Sequence, residues 1–153
     1  MPYRKKYYKR PFNPDKYSIE QTAGQIASGE QGAANVLVVP AADIQGMRKV
    51  KHITVNLVSI SAPSSASTIV YWALVYVPEG YEPNSINLTG QGMYEPNQFV
   101  MNCGVMNVQG GPNRITSPIS RNLNGGDRIY LILQASASGY NFQYMVRYAI
   151  TLQ

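Results

Sequence analysis

FQYMVRYAITL, residues 142–152, alternates large apolar and polar side chains almost throughout. Phe142, Tyr144, Val146, Tyr148, Ile150 and Leu152 fall on one side of an extended chain, and Gln143, Met145, Arg147 and Thr151 on the other. Successive side chains of a strand point to opposite faces, so this period of two specifies an antiparallel strand with one face in a core and the other in water.

Segments of the same texture recur upstream. They are NVLVVP (35–40), RKVKHITVNLVSI (48–60), STIVYWALVYV (67–77), a weaker SINLT (85–89), QFVMNCGVMNV (98–108), NRITSPI (113–119) and RIYLILQAS (128–136). Between them lie Pro40, Ala62 to Ser65, PEGYEPN, GQGMYEPN, QGGPN, NGGD and ASGYN, which supply the Gly, Pro and Asn of tight turns. The expectation is an all-β body of eight strands from residue 33 to 153. An antiparallel body of that size buries one side of every strand most simply as a jelly-roll sandwich of two facing sheets.

Residues 1–32 differ. YSIEQTAGQIASGEQG (17–32) has few large apolar residues and predicts a linker with at most a short helical turn. Before it stands YRKKYYKRPF (3–12), with five positive charges and no negative one. Arg4, Lys5, Lys6, Lys9, Arg10 and Lys16 face a single acid, Asp15, in the first sixteen residues, while residues 17–153 hold seven basic and seven acidic residues. The net charge of +5 therefore resides in the arm. A neutral body with a cationic tail calls for an anionic partner.

Lysine and arginine neutralise phosphates without reading sequence, and tyrosine rings stack on unpaired bases for about 1–3 kcal/mol per base. Interleaving Tyr3, Tyr7 and Tyr8 with the six cations suits single-stranded nucleic acid. Arg48, Lys49 and Lys51 form a smaller basic group at the start of a strand, read either as contacts to the same ligand or as a charged strand end that keeps the edge soluble. A basic run of this length also suits a nuclear import receptor. Charge and stacking do not use the 2′-hydroxyl, so they leave the sugar open.

Catalytic and metal chemistry find little support. The one histidine, His52, sits in a basic strand with no partner motif, and Glu79, Glu82, Glu95 and Asp127 fall in turns. The one cysteine, Cys103, cannot form an internal disulfide and reads as a buried, inert thiol among strand residues. No metal site, cofactor or enzymatic activity is expected. The longest apolar run, Ile69 to Val77, is half the length of a helical membrane span, and the prolines of the arm fit neither a secretory signal nor a transit helix.

ALVYVPEGYEPNSIN (73–87), MYEPNQFVMNCGV (93–105), SPISRNLNGGDRIYLIL (117–133) and YMVRYAITLQ (144–153), following an Arg, Lys and Tyr arm, resemble capsid proteins of small circular, Rep-encoding single-stranded DNA viruses, the circovirus-like and nanovirus-like group. The resemblance implies a jelly-roll subunit that assembles into an icosahedral T=1 shell around single-stranded DNA, found in the virion and, during assembly, in the host nucleus. The chain departs from the circovirus pattern in its shorter length and milder arm. A monomeric single-stranded nucleic-acid-binding β-domain with a cationic tail is the alternative from the residues alone; it differs in requiring no assembly.

Overall fold

The computed structural model describes residues 17–28, 33–43, 46–62, 69–83, 99–135 and 138–152, the side chain of Leu152 excepted. Nine strands form: β1 Ser18–Ala27, β2 Ala33–Val39, β3 Arg48–Ser61, β4 Ile69–Val77, β5 Val100–Asn107, β6 Asn113–Thr116, β7 Arg121–Leu123, β8 Arg128–Ala135 and β9 Asn141–Leu152. No α-helix occurs among the described residues.

The strands divide between two antiparallel sheets. In sheet A the order is β1-β9-β3-β6, with β7 also on β3, and in sheet B it is β2-β8-β4-β5. The pairings are nested, β1 with β9, β2 with β8, β3 with β6 and β7, and β4 with β5. The chain thus doubles back like one long hairpin whose successive pairs alternate between the sheets, which is the winding of a jelly roll. Because β6 and β7 share one side of β3, they act as a single interrupted strand. Eight strand positions result, four per sheet.

The core lies between the sheets. Phe142, Val146 and Tyr148 of β9 are buried, and Tyr144 and Ile150 pack against them, as the alternation in FQYMVRYAITL requires. Tyr140 and Phe142 stack with centroids 6.0 Å apart. Val50, Ile53, Val55 and Leu57 of β3 face Leu74 of β4 and Ile129, Leu131 and Leu133 of β8 in the same cluster. A smaller cluster of Ala73, Val75, Val77 and Ile132 gathers residues of the opposite parity on β4 and β8.

Two expectations are corrected. The linker predicted at 17–32 contains β1, a ten-residue edge strand paired with β9 from Ser18↔Ile150 to Ala27↔Asn141. An edge strand needs backbone pairing more than apolar bulk. Only Ile26 packs on the core, while Gly24 leaves room for the Tyr144 ring, whose hydroxyl lies 2.7 Å from where a Cβ would stand. The Ser28 amide donates to the Tyr140 carbonyl at 2.8 Å, and the Tyr140 amide donates to Ser28 Oγ at 3.0 Å, closing the far end of the pair. The SINLT segment lies outside the described residues.

The second correction concerns Cys103, which is exposed on β5, an edge strand of sheet B, and not buried. Its pairing partner Ala73 is inside the smaller cluster, but among the described residues no strand flanks β5 on its other side. One thiol per chain should titrate with Ellman's reagent in buffer as completely as in denaturant. Protection until unfolding would contradict this placement.

Candidate nucleic-acid interface

Of the sequence-selected contact residues, Tyr3, Arg4, Lys5, Lys6, Tyr7, Tyr8, Lys9, Arg10 and Lys16 lie outside the described residues. The first described residue, Tyr17, is bonded to Lys16 and shows where the arm joins the body. Its ring sits 3.5 Å beneath Lys51 Nζ, a cation–π contact on the outer face of sheet A.

Arg48, Lys49 and Lys51 do not act as one group. Along β3 the odd positions Lys49 and Lys51 point outward, whereas Arg48 and Val50 point inward. Arg48 is only 8% exposed and donates from Nη2 to the Pro40 carbonyl at 3.2 Å. It is therefore a structural cation at the sandwich end, separated from the basic face by the pleat.

A bulge at His52 sets the rest of that face. Lys51 pairs with Ala149 and Thr54 with Arg147, so β3 carries one extra residue across this interval. His52 absorbs it with φ of 55°, a left-handed conformation in which histidine is several-fold enriched. The insertion reverses the parity, placing Thr54, Asn56 and Val58 outward with Lys49 and Lys51, and Ile53, Val55 and Leu57 in the core.

Two further arginines thereby join the face. Arg147 pairs with Thr54 from β9, and Arg114 pairs with Asn56 from β6; both are exposed. Neither stands near Lys49 in sequence, so a scan for charge runs misses them. The outward positions of these strands carry no carboxylate among the described residues. Of the described acids, Asp43, Glu79, Glu82 and Asp127 lie by loops, with Asp43 and Glu79 lining a cleft of about 680 Å³, and Glu20 is exposed on edge strand β1 at the inward-parity position that pairs with Tyr148.

Asp127 has a structural task. It is 4% exposed; its Oδ2 accepts from the Tyr76 hydroxyl and the Asn124 amide, each at 2.8 Å, and its Oδ1 from the Glu79 amide at 3.3 Å. Arg121 lies 4.2 Å over the Tyr76 ring. This cluster ties the β7–β8 turn to the end of β4. No group of three His, Cys, Asp or Glu side chains able to hold a metal occurs among the described residues, and no helix of the described residues is long and apolar enough to cross a membrane.

Burial, then Asp127, pushes the Tyr76 phenol above its ordinary value; burial, then Glu20, does the same for Tyr148, with Arg48 opposing. A phenol titrating at the ordinary value of about 10 when unfolded and higher when folded contributes stability that is complete below that pH. The contribution is lost as pH rises through the folded values. Melting temperatures should hold level to about pH 10 and then fall, and the Tyr76→Phe, Tyr148→Phe pair should show a shallower fall. An unchanged fall in the pair would contradict the assignment.

At the level of sequence, no protein-family model matches the chain and no curated protein does. Solved structures do. A chain of the structure of Cocksfoot mottle virus covers 90% of this chain with 92% of its own, at 10% identity and a TM-score of 0.50. The two chains share one fold. Mud crab tombus-like virus matches over 95% of this chain and 94% of its own, at 13% identity and a TM-score of 0.46. Desmodium yellow mottle tymovirus matches over 99% and 96%, at 11% identity and a TM-score of 0.39. None of these three carries the name of a circovirus or nanovirus.

Proposed function

We propose that the chain is a virus capsid protein that self-assembles into a closed icosahedral shell, of about 60 copies in the T=1 case, and packages a single-stranded genome through its N-terminal arm. The observation that carries this is the union of a jelly roll of the Cocksfoot mottle virus type with an arm that holds the whole net charge. The fold alone would not suffice, since jelly rolls also serve lectins and cupins. A tethered polycation on a neutral body, however, is the arrangement of a subunit that adds one arm to a shared interior.

In this reading Arg4, Lys5, Lys6, Lys9, Arg10 and Lys16 contact phosphates, and Tyr3, Tyr7 and Tyr8 stack on bases. No catalytic step is assigned. On the sequence resemblance to circular single-stranded DNA viruses, this reading takes DNA as the genome and the host nucleus as the assembly site. Nuclease treatment of nucleic acid released from purified particles tests this: loss to DNase with resistance to RNase supports DNA, and the reverse assigns RNA and removes the nuclear step. A protein that elutes as a monomer at every salt concentration would instead favour the solitary binding domain.

A further inference from the structure

We propose that the outer face of sheet A is itself a track for single-stranded nucleic acid, made by Lys49, Lys51, Arg147 and Arg114 and continuous with the arm. The proposal rests on the reading that this chain holds a genome, and it says where on the folded body the strand lies. The pairing register carries it. Outward residues across β1, β9, β3, β6 and β7 form successive levels: Lys49 with Thr151 and Asn122, Lys51 with Ala149 and Ile19, Thr54 with Arg147 and Gln21, then Asn56 with Met145, Ala23 and Arg114.

Each of these four levels holds one cation. Adjacent levels are two residues apart, about 7 Å along the strands. That step is comparable to the stretch of sugar–phosphate backbone between consecutive phosphates of an extended strand. Lys49 and Lys51 stand on β3, Arg147 one strand away on β9 and Arg114 one strand away on the other side on β6, so the last two cations are about two strand spacings, roughly 10 Å, apart across the sheet. Long arginine side chains span that offset. A carboxylate anywhere on these levels would break the row, and none is present among the described residues.

Space for bases accompanies the charges. Beside Arg147 is a cleft of about 270 Å³ lined by Ile19, His52, Thr54 and Ala149. Beyond it is an apolar cleft of about 280 Å³ lined by Ala23, Val58, Pro112, Gln143 and Met145, at and next to the level of Arg114. A cleft that includes Arg147 and an apolar cleft next to it suit unstacked bases whose phosphates are held by neighbouring cations, and they offer nothing to a duplex with its base faces hidden. The track meets the arm at Tyr17, whose ring lies under Lys51 Nζ.

The test uses the full-length chain and a fluorescein-labelled oligothymidylate, with affinity measured by anisotropy across salt concentration. Replacing Lys49, Lys51, Arg114 and Arg147 together by glutamine should lower the slope of log K against log salt by about 2.8, roughly 0.7 for each cation that contacts a phosphate. The charge-conserving set Lys49→Arg, Lys51→Arg, Arg114→Lys and Arg147→Lys should keep the slope, which separates lost charge from lost fold. Photocrosslinking with 5-iodouracil in the oligonucleotide should label the peptide that contains Met145. An unchanged slope in the glutamine variant, crosslinks confined to residues 1–16, or equal competition by polyglutamate would each overturn the track. Particle formation reports separately on the capsid reading: a shell without the slope change leaves that reading and removes this one, and the slope change without a shell does the opposite.

Discussion

Replacing Arg4, Lys5, Lys6, Lys9, Arg10 and Lys16 by glutamine will yield shells that carry little or no nucleic acid. The six residues are the larger of the two cation sets assigned to the genome; the other is the four-residue row on sheet A. At roughly 0.7 per phosphate contact on a single strand, their loss lowers the salt slope of binding by about 4, and the affinity falls most steeply at low salt. Folding should be unaffected, because the pairing of β1 begins at Ser18, beyond the substituted residues. The absorbance ratio at 260 and 280 nm of purified particles, with circular dichroism of the dissociated subunit, measures both outcomes. Particles of the variant that retain their nucleic acid would remove the arm from packaging. Substituting Tyr3, Tyr7 and Tyr8 by leucine leaves the charge in place and should weaken binding without altering the slope, since stacking releases no counterions.

Asp127→Ala will be among the most damaging single changes in the body. The carboxylate is buried, and it satisfies the Tyr76 hydroxyl, the Asn124 amide and the Glu79 amide at once. A hydrogen bond to a charged group contributes about 1.5–3 kcal/mol, and a buried donor left without a partner costs about 1–3 kcal/mol. Tyr76 is half-buried, so its hydroxyl recovers part of its loss from water. A net destabilisation of about 3 kcal/mol follows, equivalent to roughly 10 °C in melting temperature for a domain of this size. Gly126 in the same turn is constrained separately: it holds a φ of 82° with the Glu79 side chain where a Cβ would lie. Asp127→Asn keeps one acceptor oxygen and should cost about half as much. Unfolding in urea with both variants decides it. A loss below about 1 kcal/mol for Asp127→Ala would show that water replaces the carboxylate.

Much of the fold is legible in residues whose burial is one-sided. FQYMVRYAITL and RIYLILQAS declare their faces because β9 and β8 are interior strands, with a partner on each side and a core on one face. β1 declares nothing, since an edge strand held by backbone hydrogen bonds to β9 can be written in Ser, Gln, Thr, Ala and Gly. The parity break in KVKHITVNL is visible once sought. Lys49 and Lys51 alternate with Val50, yet Ile53, Val55 and Leu57 share Val50's face, and one extra residue must lie between. Its consequence for function is not visible locally. Whether Arg147 and Arg114 join Lys49 and Lys51 depends on the registers of β9 and β6 against β3, which no single segment encodes. Arg48 shows the converse: adjacency in sequence puts it on the opposite face.

The measurement that bears most directly on the capsid assignment is electron microscopy of the full-length protein expressed alone, taken with the 260 to 280 nm absorbance ratio of the same fraction. Uniform closed particles are expected, with a raised ratio that falls sharply when the six arm cations are replaced by glutamine. A homogeneous monomer under every assembly condition, with the arm intact and nucleic acid present, would contradict it.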